Sequence, residues 1–385
     1  MNKTSGQRRV LLLSCNTGEG HNAAARALME QLERRGVQAE CKDALSFAPP
    51  GVSQLVSGVH KNVYRNVPSL FDAGYAHTER RDSRGEGNVP YRLSALYAPK
   101  LYRYVMQGAF NAVVAPHVFP AVALTWLRRH DAYAGMRRIP CCFVATDYTC
   151  SPFVGQTELD LYCIPHAALA DEFVQKGIPR SKLLPAGIPV RSEIVARTPR
   201  AQARRSCALP EDGRVLLLMS GSMGAGGMQE TCAAIVPRLG PRDRLVCLCG
   251  NNRRLHAALR DDNRCDPRVL VLPYTDRVSL LMDAADLLLT KPGGLTVTEA
   301  AVKGLPLVLT DAVGGCEARN AAFFQEHGMA AVAQGGEPAA RLAFELLEDA
   351  PAREAMSARQ RATIAIDAAE RLTEALFQDA RTQAG

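Results

Sequence analysis

An α/β protein of two doubly wound, Rossmann-like domains in series is what the 385-residue sequence predicts, and three observations carry that reading. Short runs of consecutive apolar residues recur along the chain, the pattern of parallel strands buried on both faces. Segments with helical apolar spacing lie between most of them. In each half, one such run enters a helix through a glycine-rich turn, "NTGEGH" at 16–21 and "GSMGAGGM" at 221–228.

The first strand is expected over 8–15, where Val10, Leu11, Leu12 and Leu13 are consecutive. A helix follows, with Ala24, Leu28, Met29 and Leu32 on one face and Gly36 where a C-terminal cap belongs. His21 falls in its first turn, at the carboxyl edge of a parallel sheet, where open α/β sheets place ligands. Further strands are expected at 39–43, 112–115, 141–147, 160–164 and 183–186. The second half gives 215–220, 244–249, 269–272, 286–290 and 306–309. The break falls after "LLPAGIPVRSEI", where Pro, Gly and charge concentrate. The division is 1–190, 191–367 and a last helix at 368–385 that packs back on the first domain.

Composition narrows the function classes. Hydrophobic residues make up 47% and charged residues 22%, which are globular values. Residues 1–190 carry 22 Lys and Arg against 15 Asp and Glu, whereas 191–385 balance at 24 each, so the net charge of +7 belongs to the first half. A basic face of that kind meets something anionic. The basic residues are not interleaved with any nucleic-acid module, so no nucleic-acid partner is expected. Most of the twelve cysteines lie inside apolar runs such as "CCFVATD" and "RLVCLCG", which fits buried free thiols in a reducing cytoplasm rather than disulfides or zinc. No secretory signal precedes the first strand. No stretch reaches the ~18 apolar residues of a spanning helix, so membrane contact is expected to be peripheral.

Two loops in the second half suit a diphosphate. Gly221, Gly224, Gly226 and Gly227 follow a buried strand and precede a helix, which lets backbone N–H groups approach an anion; a tight strand-to-helix turn would use the same residues. The segment is neither a P-loop nor a complete G-x-G-x-x-G. Lys291-Pro292-Gly293-Gly294 ends another strand, with a helix beginning near Thr296. Glu299, about one turn inside, is placed either to accept two ribose hydroxyls or to complement the helix dipole. "RDDN" at 260–263 reads as a solvent-facing helix-to-strand loop rather than a metal-binding D-x-D.

Several ordered motifs, taken together, resemble one family. "GEGHNAAARAL", "PHVFPA", "VATDYTCSPF" and "AGIPVR" in the first half, with "GSMGAGGM", "CGNN", "KPGGLT" and "EARN" in the second, are similar to GT-B glycosyltransferases of the branch that contains monogalactosyldiacylglycerol synthases and processive diacylglycerol glucosyltransferases, with MurG more distant. The resemblance covers nearly the whole chain. It implies a GT-B fold with a UDP-sugar between the two domains. Gly221, Ser222, Met223 and Gly224, with Gly293 and Gly294, would lie against the diphosphate, and Pro292 and Thr296 would belong to the same donor-binding set. Glu299 would hold the ribose, and Asn251 and Tyr274 would lie near uracil. Glu317 and Asn320 would lie near the sugar or phosphates. Gly314 and Cys316 depart from the family's Pro and Gln in that segment, which removes an amide that often reads the hexose.

The resemblance also implies that His21 faces the donor as general base toward the acceptor hydroxyl; donation to a UDP phosphate is its alternative role. An ordinary histidine titrates near ~6.5, suited to such a base. Asp147 is a second acid at the same sheet edge, placed to orient His21, to bind the acceptor, or to cap the strand. No metal and no cofactor beyond the UDP-sugar co-substrate are expected, and inversion gives a β-linked product. From "VSQLVSGVHKNVYRNVPSLFDAGY" to "YRLSALYAPKLYRYVMQGAF", aromatic and apolar residues mix with Lys61, Arg65, Arg92, Lys100 and Arg103. Such helices lie in an anionic bilayer interface or cap a sheet. In the family this section forms the lipid mouth, which implies acceptor and membrane roles for Tyr64, Arg65, Phe71, Tyr97, Tyr102 and Arg103. The implied activity is transfer of glucose or galactose from UDP to diacylglycerol, on the inner face of the cell membrane. MurG-like transfer of N-acetylglucosamine to a polyprenyl-linked acceptor, and a non-catalytic UDP-sugar-binding regulator, are the alternatives.

Overall fold

The computed structural model describes residues 8–15, 19–49, 89–221, 227–312 and 315–382. The chain divides into two compact units, Met1–Arg191 together with Ile366–Gly385, and Ser192–Ala365. Each contains one six-stranded parallel sheet.

In the first unit the strands are β1 (Arg9–Ser14), β2 (Gln38–Asp43), β3 (Ala112–Ala115), β4 (Cys141–Val144), β5 (Leu161–Cys163) and β6 (Leu183–Leu184), in the spatial order β2-β1-β3-β4-β5-β6. Consecutive apolar residues in β1, β3 and β4 are buried on both faces, which is why those strands show no alternation. Val10, Leu12, Val114 and Val144 pack against Leu28 and Leu32 of helix Glu19–Arg34. Leu372 and Leu376 of the last helix, Ala368–Thr382, complete the same core. Helix Glu19–Arg34 ends in paired backbone bonds, Val37 N–H to Leu32 O at 3.0 Å and Gly36 N–H to Glu33 O at 2.9 Å.

In the second unit β7 (Val215–Met219), β8 (Arg244–Leu248), β9 (Val269–Leu272), β10 (Leu287–Thr290), β11 (Leu307–Thr310) and β12 (Ala331–Ala333) lie in the order β12-β11-β10-β7-β8-β9. β7 and β10 are in register from Leu216 opposite Leu287 to Met219 opposite Thr290, so both strands end level. The chain segments leaving them are therefore neighbours.

Several expectations are corrected. The strand expected over 141–147 stops at Val144, and Thr146 and Asp147 lie in the loop beyond it. The helix expected near Thr296 begins at Gly294, because Gly293 already serves as its cap. Arg260, Asp261 and Asp262 form the last turn of helix Arg253–Asp262 rather than a loop, although all three are exposed. β12 escapes an apolar-run reading because Ala331, Val332 and Ala333 are few, small and only partly buried.

Candidate active site

The first unit gathers its chemistry where the strand order reverses. From β1 the chain crosses to β2 on one side and later to β3 on the other, and the two connections leave a crevice at the carboxyl ends of β1 and β3. His21 enters it from the first turn of helix Glu19–Arg34. The helix start is tied down by Ser14 at the end of β1, whose Oγ bonds Asn22 Oδ1 at 2.6 Å. Across the crevice, the Pro116 carbonyl after β3 lies 2.8 Å from His21 Nδ1. Thr146 Oγ1, from the loop after β4, lies 3.0 Å from the same nitrogen.

A carbonyl only accepts, so Nδ1 carries the proton and Nε2 carries the lone pair. His117 stands edge-on to the ring of His21, with centroids 4.5 Å apart. Its own Nδ1 accepts from Phe119 N–H at 3.1 Å, capping helix Val118–Arg129. Desolvation in the crevice holds the His21 pKa below the ordinary 6.5, opposed by the negative charge of Asp147 and by the Pro116 bond. A neutral imidazole with a fixed tautomer is what a proton acceptor requires. The sequence does not single out Thr146 and His117 as site residues: both lie inside the motifs "VATD" and "PHVFPA", but their meeting with His21 depends on which strands are adjacent.

In the second unit the order reverses between β7 and β10. Gly221, after β7, has φ +68°, and a Cβ there would lie 3.1 Å from Lys291 Cε, after β10. Ser222, Met223 and Gly224 lie outside the described residues. Lys291 Nζ pairs with Glu317 Oε1 at 2.5 Å, and each side chain is only 11% exposed. Asn320, fully buried, donates from Nδ2 to Pro292 O at 2.9 Å and so braces the Pro-Gly-Gly turn. Beyond Gly293 a Cβ would meet nothing within 4 Å, which leaves the turn open to approach. Glu299 is buried one and a half turns into helix Gly294–Lys303, and Thr296 is partly buried in its first turn. Asn251 and Tyr274 are exposed, each following the strand end expected for it, β8 and β9. Asn252 caps helix Arg253–Asp262 by accepting from Leu255 N–H at 3.0 Å. The sequence gives no sign of the Lys291–Glu317 pair, because a separation of 26 positions hides the contact from spacing arguments.

The proposed acceptor face divides. Tyr64, Arg65 and Phe71 lie outside the described residues. Tyr97 is corrected: it is a core residue, 4% exposed, with its hydroxyl donating to Phe119 O at 3.1 Å. Tyr102 is partly buried against the ring of Tyr133 at 5.1 Å. Arg103 is exposed, and it shares one face of helix Val89–Gln107 with Arg92, Leu93, Leu96, Lys100 and Met106. Leu93, Leu96 and Met106 on that face are 39%, 53% and 42% exposed, and the helix contains no acidic residue. No helix among the described residues is long and apolar enough to cross a membrane. Burial pushes the thiols of Cys141 and Cys163 up to about 12, so neither supplies a nucleophile near neutral pH.

Comparison with known proteins agrees with this architecture. Residues 21–190 match the family model for monogalactosyldiacylglycerol (MGDG) synthase, and residues 215–374 match that for the glycosyltransferase family 28 C-terminal domain. Processive diacylglycerol beta-glucosyltransferase of Bacillus pumilus (strain SAFR-032) is 25% identical over 352 residues, 91% of this chain and 89% of that protein. Its namesake from Staphylococcus carnosus (strain TM300) is 28% identical over 345 residues, 89% of this chain and 85% of the relative. Among solved structures, Acinetobacter baumannii MurG superposes with a TM-score of 0.63 at 17% identity, covering 96% of this chain and 99% of that one. The Staphylococcus aureus MnaA–UDP complex gives 0.64 at 14% identity, covering 97% of each chain. The fold and site thus define a glycosyltransferase of the GT-B fold. The chain belongs to the family of monogalactosyldiacylglycerol synthases and processive diacylglycerol glucosyltransferases.

Proposed function

We propose that the protein transfers a hexose from a UDP-sugar to the hydroxyl of diacylglycerol, with His21 as the base. The observation that carries the assignment is the Pro116 carbonyl at 2.8 Å from His21 Nδ1. With the proton held there and the imidazolium disfavoured by desolvation, Nε2 has no hydrogen to donate. That argues for proton acceptance and against the alternative role as a phosphate donor. In the reaction the acceptor oxygen bonds the anomeric carbon and its proton passes to Nε2. The bond from that carbon to the β-phosphate oxygen breaks, and its electron pair leaves on UDP. One displacement inverts the centre, gives a β-linked lipid and needs no covalent sugar–enzyme intermediate. Asp147 favours the imidazolium that forms.

The donor reading rests on the second unit: Gly221, Ser222, Met223, Gly224, Pro292, Gly293, Gly294 and Thr296 toward the diphosphate, Glu299 toward the ribose, Asn251 and Tyr274 toward uracil, with Glu317 and Asn320 near the sugar. The curated relatives described above are named glucosyltransferases, which favours UDP-glucose over UDP-galactose. Exposed Leu93, Leu96 and Met106 beside Arg92, Lys100 and Arg103 support docking at an anionic membrane surface, where an acceptor of this kind resides. We place that surface on the cytoplasmic side and hold the transfer to be metal-independent.

The test incubates the purified protein with diacylglycerol liposomes, anionic or neutral, and UDP-glucose, UDP-galactose or UDP-N-acetylglucosamine, and identifies the lipid product and its anomeric configuration. A β-hexosyl-diacylglycerol formed in excess chelator, faster on anionic liposomes, is expected. Transfer only to a polyprenyl-linked acceptor would overturn the substrate assignment, and loss of activity in chelator would overturn metal independence.

A further inference from the structure

We propose that Lys291 is the cation that receives the diphosphate of the donor, and that it exchanges its partner, Glu317, for phosphate when the nucleotide arrives. The inference rests on the donor reading above and adds to it a residue and a switch. Lys291 leaves β10 beside the end of β7, in the crevice where the strand order reverses. Its side chain runs against Gly221, since a Cβ there would sit 3.1 Å from Cε and 4.0 Å from Nζ. The first glycine of the turn after β7 is thus packed directly over an ammonium stem. Any side chain at 221 would press on the lysine in addition to opposing the left-handed backbone.

The pair itself is a poor device for stability alone. Both side chains are 11% exposed, and two charges withdrawn that far from water gain little net free energy over apolar groups of the same shape. What such a pair retains is a charge already desolvated and already aimed. An ammonium carries three N–H donors on a flexible stem, so rotation of its last torsions turns it from carboxylate to phosphate without moving the backbone. The backbone is held independently: Asn320 donates to Pro292 O at 2.9 Å, and Gly293 N–H closes on Lys291 O at 2.9 Å. The turn is open beyond Gly293, where the amino end of the ten-residue helix Gly294–Lys303 offers further N–H groups. A doubly charged phosphate chain entering there outcompetes one carboxylate for the ammonium, and the displaced carboxylate becomes available to sugar hydroxyls.

Calorimetric titration of the full chain with uridine, UMP and UDP tests this. In the wild type, affinity is expected to rise from uridine through UMP to UDP. In Lys291→Met the uridine affinity stays within about twofold while UDP binds about ten- to a hundredfold more weakly, the size of a lost charge-assisted bond. Glu317→Gln, which frees the lysine from its competitor, tightens UDP binding. Lys291→Met/Glu317→Gln leaves no unpaired buried charge, so it keeps the fold if the single variant does not, and it still lacks the gain from UMP to UDP. Equal weakening of all three ligands in the folded variants, or unchanged UDP affinity in either lysine variant, overturns the proposal. A wild-type protein that binds none of the three refutes the donor reading instead, so the two failures are told apart.

Discussion

Replacing His21 by asparagine removes the basic nitrogen and keeps a donor for the carbonyl it bonds. In the structure His21 Nδ1 holds Pro116 O at 2.8 Å, and the asparagine amide can take over that bond, so the first turn of helix Glu19–Arg34 stays attached to the end of β3. The proton-accepting Nε2 has no counterpart. General-base catalysis is worth about 10²–10⁴-fold, which at 1.36 kcal/mol per decade is about 2.7–5.4 kcal/mol of barrier. The expected result is a kcat reduced by that factor with UDP affinity nearly unchanged. The pH dependence is a second reading of the same ring. Desolvation outweighs the two opposing influences and lowers the pKa below 6.5, so the acid limb of kcat/KM lies below that value, and Asp147→Asn, which removes a raising influence, moves it further to the acid side. Stability follows the same sign. The unfolded histidine protonates near ~6.5 while the native ring resists, so its contribution is complete above that pH and declines as pH falls toward the lowered native value. His21→Asn flattens that decline in denaturant titrations. A variant with wild-type kcat, or a wild-type acid limb above 6.5, refutes the reasoning.

Two further perturbations test the framework under the sites. Asn320→Ala leaves Pro292 O without the amide that reaches it at 2.9 Å in a fully buried position; about 1–3 kcal/mol of stability should be lost, read as a lower midpoint of thermal unfolding, with weaker UDP binding in titration. Leu372→Ala opens a cavity in the core shared by Leu28, Leu32 and Leu376; a loss of about 2–5 kcal/mol is expected in urea unfolding of the first unit, and a loss below about 1 kcal/mol would mean that the last helix adds little to that core.

The sheets were legible because their strands announce themselves one at a time. Val10 to Leu13, Val113 with Val114, and Leu287 to Leu289 are each apolar without interruption, and a strand buried on both faces needs no more. Strand ends were less legible. In "CCFVATD" nothing in the residue types marks Val144 rather than Asp147 as the last paired position, since pairing stops where the neighbouring short β5 stops offering partners. His21 could be found because glycine, strand and helix surround it locally. Thr146, His117 and Lys291 could not be assigned their contacts, because each touches a residue brought near by strand order alone. The burial of Tyr97 escapes the sequence for a related reason. An aromatic residue in a basic amphipathic helix faces in or out according to a few degrees of helix rotation, and Tyr97 lies on the same inward face as Leu101 and Val105.

Strand order also explains why each unit has its polar groups where it does. In a parallel sheet every strand delivers its chain to the same edge, but consecutive connections that turn to the same face leave no room between them. Only where one connection turns left and the next turns right do two loops part, and this happens between β1 and β3 and between β7 and β10. His21 with Pro116 occupies the first gap, and Gly221 with Lys291 the second. The gaps are fixed by strands whose side chains are almost wholly buried, Val10 to Leu13 in one sheet and Val215 to Leu218 in the other. The positions of the reactive groups are thus set by core packing rather than by the loops that carry them. Substitutions in these loops should therefore change affinity and rate with little effect on the fold, while a one-residue slip of β1 against β3 would carry the Pro116 carbonyl about 3.3 Å along the strand and out of reach of Nδ1.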